Sequence, residues 1–125
     1  MNSTLTTDLI ENYTYDEIAV GQSARLLRTL TLADIQAFAA VSGDTNPAHL
    51  DAAFANETLY EGVIAHGMWG GALISALLGT QFPGPGTIYQ DQMLHFVKPV
   101  RIGDTLTVTV KVVSKDDAQD RKSVV

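Results

Sequence analysis

A chain of 125 residues, 46% hydrophobic and 18% charged, suffices for one modest core and lies far from the disordered regime. A net charge of −6, with lysines and arginines scattered apart from the Arg121–Lys122 pair, argues against nucleic acid and anionic membranes as partners. With no cysteine, disulfides, thiolate catalysis and cysteine-based zinc sites are excluded.

Met1 to Asn12 is polar and expected to be flexible; no cationic stretch followed by an apolar one opens the chain, so a cytoplasmic setting is expected. Tyr13 to Gly21 is mixed in character and ends on a turn glycine. Ser23 to Leu30 is expected to be a first strand, though its alternation is poor. Thr31 then looks like an N-cap with Asp34 as its capping-box partner. Leu32, Ile35, Phe38 and Ala39 follow at helical spacing, and Gly43 is placed to end the helix. Alanine-rich Asp51 to Asn56 suggests another short turn of helix.

Gly62 to Leu78 is expected to be a buried helix, because Val63, Ile64, Met68, Trp69, Leu73, Ile74, Leu77 and Leu78 cover nearly all its faces. Trp69 and Met68 are read as core. The run holds a histidine and several glycines and is too short to span a membrane. Its glycines cost helix propensity, roughly 1 kcal/mol each against alanine, so something is expected to approach that backbone closely. Pro83-Gly84-Pro85-Gly86 ends the element. Thr87 to Val97 is expected to be a long strand stopped by Pro99. Arg101 to Asp104 reads as a hairpin-type turn. Asp104 to Val113 is the clearest strand, with Leu106, Val108, Val110 and Val112 facing in. Lys115 to Asp120 is a charged turn, and Arg121 to Val125 opens a further strand. The order predicts an α+β domain over residues 1–125, a sheet around one central helix. So few strands before Val125 imply a sheet completed by a partner chain or a truncated domain, and truncation is the favoured reading.

The chemistry concentrates in Ser42-Gly-Asp-Thr-Asn-Pro-Ala-His49, where an acid, an amide and an imidazole follow an apolar helix around a turn. Asp44 and His49, five apart across the turn, can converge as an acid–base pair. Taken alone, Asp44 is equally ordinary turn chemistry, and Asn46 reads as holding the loop. His66 either orients the Gly67 turn or contacts substrate, and His95 reads as structural. A metal held by His49, His66 and His95 lacks any recognisable ligand spacing, so no metal is assigned.

Ser42 to His49, Ala65-His-Gly-Met68 and Ile102-Gly-Asp104 together resemble the MaoC-like (R)-specific enoyl-CoA hydratases of the hydratase 2 type. The similarity extends to the N-terminal domain of bifunctional enoyl-CoA hydratase/phosphate acetyltransferases. It implies a hotdog fold, an antiparallel sheet wrapped around a long helix, in a homodimer. It implies hydration of trans-2-enoyl-CoA to (R)-3-hydroxyacyl-CoA, with the coenzyme A thioester as substrate and no cofactor. Asp44 and His49 carry over as the catalytic pair and Ser75 as an active-site group; Asn46 and His66, read from the residues themselves, are counted among the substrate-binding groups. The Gly67 amide carries over as the donor to the thioester carbonyl. Hotdog thioesterases and non-catalytic acyl-thioester binding domains are the competing readings.

Overall fold

The computed structural model describes residues 10–116 and 121–124. A 3-10 turn at Tyr15–Glu17 precedes β1 (Ser23–Thr29), α1 (Leu32–Ser42), α2 (Pro47–Leu50), α3 (Ala52–Asn56), α4 (Gly67–Thr80), β2 (Thr105–Asp116) and β3 (Arg121–Val124). The strands form a sheet in the order β1-β2-β3. β3 runs antiparallel to β2, pairing Val112 with Val124 and Asp116 with Arg121 around an irregularity between Val112 and Ser114. Two compact units share these elements, and neither is a continuous stretch of chain.

The first unit comprises Met1–Leu26, Ala72–Gln92 and Thr107–Val125. Its buried apolar side chains include Ile18, Leu73, Leu77, Leu78, Phe82, Val108, Val110 and Val112. Alternation along β2 is the expected one: Val108, Val110 and Val112 in, Thr107, Thr109 and Lys111 out. Such period-two burial follows from the pleat of a strand with one covered face. The Lys115 ammonium donates to the carbonyls of Tyr15 (2.8 Å) and Ile18 (2.7 Å), fastening the 3-10 turn to β2. Residues 1–9 and 117–120 lie outside the described residues; of the turn expected over Lys115 to Asp120, Lys115 and Asp116 belong to β2 instead. Glu11, by contrast with the expected flexible segment, is tied down: its N–H donates to the Thr80 carbonyl at 2.8 Å.

The second unit comprises Leu27–Gly71 and Met93–Leu106. The Thr31 hydroxyl accepts from the Asp34 N–H at the start of α1, and the Asp34 carboxylate accepts from the Thr31 N–H at 3.0 Å. Gly43 ends the helix at φ 76°, a left-handed conformation that suits glycine. Ile35 and Ala39 are buried on this helix, whereas Leu32 is exposed. Asp51 caps α3 through the Phe54 N–H at 3.2 Å. At Arg101–Asp104 the predicted turn forms, with Gly103 at φ 93°.

Burial would push the Asp34 carboxyl up, but the Thr31 N–H, the Arg28 guanidinium and the Thr31 hydroxyl together hold it below its ordinary value of 3.8. A group whose pKa is lowered by folding adds stability that is complete above its unfolded value and lost as pH falls through the folded one. Asp34→Asn is therefore expected to cost about 1 kcal/mol at pH 7 through the cap and the Arg28 pair. The difference in urea midpoint between parent and variant should shrink as pH falls below about 4. A difference undiminished at pH 3 would contradict this account of Asp34.

Two expectations about the elements fail. Among the described residues, Thr87 to Val97 forms no strand. Among the described residues the sheet holds β1, β2 and β3, and the alternating segment finds no neighbour there to supply a ladder. Most of it is exposed, Ile88, Met93, Phe96 and Val97 strongly so. The helix expected from Gly62 begins only at Gly67, because Ile64 pairs with Arg101 and the Ala65 N–H donates to the Val100 carbonyl at 2.8 Å. That pairing holds the backbone extended. Nor is α4 covered all round: Trp69, Leu73, Leu77 and Leu78 are buried, but Met68, Ala72, Ser75 and Ala76 are exposed. Close approach to the glycine backbone occurs at Gly67, where an added Cβ would meet the Phe96 ring at 3.0 Å. Gly70 and Gly79 have nothing within 4 Å of that position.

Candidate active site

The loop after α1 owes its shape to short polar side chains bonding their own backbone. Ser42 Oγ donates to the Phe38 carbonyl at 2.6 Å and accepts from the Asp44 N–H at 3.1 Å. Asp44 Oδ1 accepts from the Asn46 N–H at 3.2 Å, and Asn46 Oδ1 accepts from the Ala48 N–H at 3.0 Å, capping α2. Pro47 follows the cap, where a missing N–H costs nothing. These are Asx-type turns in series, and they carry the chain from Asp44 to His49 within one tight bend. Asn46 accordingly holds the loop.

The His49 ring is fixed by Nδ1, 2.7 Å from the Ile64 carbonyl. A carbonyl only accepts, so Nδ1 carries the proton and Nε2 is left for chemistry. His66 is bound in the same manner, its Nε2 donating to the Asp44 carbonyl at 2.9 Å. The two imidazoles stack with centroids 3.9 Å apart and 24° between planes, and Phe38 lies against His66 at 4.9 Å. His66 is buried, Asp44 is exposed and His49 is intermediate. Donor atoms of Asp44, His49 and His66 all fall within 4.8 Å of one another. Two groups that each bond one water at about 2.8 Å can stand as far as about 5.6 Å apart, so a shared water fits. The same distances also suit a metal ion, since a histidine that ligates through one nitrogen commonly gives its other N–H to a carbonyl.

Gly67 follows His66 directly and opens α4, a 14-residue helix whose first-turn N–H groups have no partner within the helix. It is exposed and lies in the same unit as the Asp44–His49–His66 cluster. Ser75 lies further along α4, exposed, in the other unit. His95 is exposed and stands outside the cluster. Sequence reasoning missed Phe96, whose ring covers Gly67, and Phe38 as the neighbour of His66.

Residues 16–125 match the MaoC-like domain. The chain belongs to this family. The (R)-specific enoyl-CoA hydratase of Rhodospirillum rubrum is 52% identical over 105 residues, covering 84% of this chain and 72% of that one. Its counterpart in Aeromonas caviae is 50% identical over 95 residues, covering 76% and 71%. Among solved structures, the unliganded R-hydratase of Pseudomonas aeruginosa superposes with a TM-score of 0.82 at 45% identity, covering 90% of this chain and 81% of its own. The architecture is thus the α+β hotdog fold of the MaoC-like hydratases, as the motifs implied.

Proposed function

We propose that this MaoC-like domain hydrates trans-2-enoyl-CoA reversibly to (R)-3-hydroxyacyl-CoA. The observation that carries the reading is a carboxylate and an oriented imidazole within 4.8 Å of each other, beside a helix-opening glycine amide. The similarity to two (R)-specific hydratases at 50% identity or more supports it. In this mechanism Asp44 and His49 Nε2 hold one water between them. As its oxygen attacks C3, one member of the pair takes its proton and a proton is delivered to C2 on the same face. Negative charge developing on the thioester oxygen is met by the Gly67 N–H, with the α4 dipole behind it. The thioester already polarises the alkene, so the scheme uses neither metal nor cofactor. Asn46 shapes the loop. A cytoplasmic setting belongs to the same proposal; no described helix is long and apolar enough to cross a membrane.

A thioesterase built on the same carboxylate would cleave the C–S bond instead. Following enoyl absorbance and free thiol in one reaction separates the two: loss of absorbance without thiol is expected. Thiol released in step with substrate loss would overturn the hydratase assignment.

The proposal includes a homodimer. Met93 and Val97, at 96% and 77% exposure, lie on a segment without a strand neighbour among the described residues. Exposed apolar side chains on such a segment suit a second copy of the same edge. Sedimentation should give about twice the 13.4 kDa chain mass, and Met93→Asp should shift the species toward 13.4 kDa. A parent that sediments as a monomer at micromolar concentration would contradict this.

A further inference from the structure

His66 touches both members of the proposed acid–base pair and yet is itself only 4% exposed. Its Nε2–H donates to the carbonyl of Asp44, 22 positions away in sequence, and its ring stacks on His49. Its own carbonyl accepts from the Trp69 N–H at 3.0 Å, which starts α4 behind Gly67. The remaining atom, Nδ1, is buried with no hydrogen-bond partner among the described residues. A buried acceptor left unmade is destabilising, so an apolar ring of similar shape would serve packing alone at least as well. What phenylalanine lacks there is the Nε2–H.

We propose that His66 is a positioning residue: its Nε2–H fixes the Asp44 peptide against the ring that supports His49, so that carboxylate and imidazole flank one water. It acts through both groups, and its burial keeps it from the substrate. This inference rests on the hydratase reading. It deepens that reading by adding a part that neither turnover nor the identity of the pair requires. The distinction matters because a 1 Å misplacement of a catalytic group can lower turnover about a hundredfold.

The test is a pair of substitutions read by kinetics, thermal unfolding and amide NMR. His66→Phe keeps a ring on His49 and Phe38 and removes the donor; His66→Gln keeps an N–H donor at the reach of Nε2 and removes the ring. For His66→Phe, kcat should fall by about tenfold to a hundredfold with KM changed less than threefold. Its Tm should be unchanged or higher, and the amide resonances of Asp44, Thr45 and Asn46 should shift. His66→Gln should lose less activity and leave those resonances nearer their parent positions. Should the phenylalanine variant not fold, His66→Met serves as the donorless variant. The proposal is overturned by a folded donorless variant with kcat within threefold of the parent. It is equally overturned by a glutamine variant as slow as the donorless one, or by an effect confined to KM. A parent that does not hydrate enoyl-CoA would instead remove the functional reading, a separate and recognisable result.

Discussion

Asp44→Asn is expected to lower kcat by roughly a hundred- to ten-thousand-fold while leaving the fold intact. Asparagine is the informative replacement because its side-chain oxygen can still accept the Asn46 N–H, as Asp44 Oδ1 does at 3.2 Å. The turn survives and the charge does not. Asp44 is also exposed and lies outside the core, so Tm should move by less than about 2 °C. His49→Asn follows the same logic. The asparagine NH2 can occupy the place of Nδ1 and keep the bond to the Ile64 carbonyl, 2.7 Å in the parent, while Nε2 is deleted. Its kcat loss should fall in the same range. Because the two groups act on one water, the double variant should be little slower than the slower single one. Losses that multiply would show that they act independently. Full activity in folded Asp44→Asn would remove the carboxylate from the chemistry.

Gly84→Ala is expected to be the most damaging single-methyl substitution to the fold. Gly84 is buried at φ 97°, where a side chain is strained before any contact is considered. An added Cβ would fall within the Glu11 carbonyl oxygen and stand 2.9 Å from its carbon and 3.0 Å from Asn12 Cα. Those atoms are backbone and are held there: the Glu11 N–H donates to Thr80 and the Tyr13 N–H to Pro83 at 2.7 Å. Relief requires displacing the segment over 11–13 and losing those bonds. Backbone strain and lost hydrogen bonds together amount to about 3 kcal/mol or more, a large share of the 5–15 kcal/mol typical of a domain. Tm should drop by about 10 °C or more. Gly86→Ala is the control, since φ is similar at 95° but nothing lies within 4 Å of its Cβ position. Equal losses at both positions would mean that φ alone, and not the Glu11 contact, sets the cost.

What was legible in the sequence was local. Thr31, Asp34 and Gly43 announce α1 because caps and left-handed glycines act within a few residues, and all three behave as their chemistry predicts. The valines of β2 alternate because one face is covered. Asp44, Asn46 and His49 could be singled out because Asx turns bring neighbours in sequence together. The rest depends on contacts that no spacing encodes. His66 meets Asp44 across 22 residues, and Phe96 meets Gly67 across a longer span. The start of α4 was misjudged because apolar Val63 to Ala65 fit a helix, yet their backbone is claimed by Val100 and Arg101. Thr87 to Val97 has strand composition, but a strand needs a neighbour, and this chain supplies none among its described residues. The motif resemblance reached further than periodicity, since it indicated the hotdog architecture that a TM-score of 0.82 bears out.

The account is tested most directly by incubating the chain with crotonyl-CoA, following the loss of enoyl absorbance and determining the configuration at C3 of the product. It predicts steady hydration to (R)-3-hydroxybutyryl-CoA with no thiol released. Formation of the (S) product, or a folded protein that leaves the enoyl thioester untouched, would contradict it.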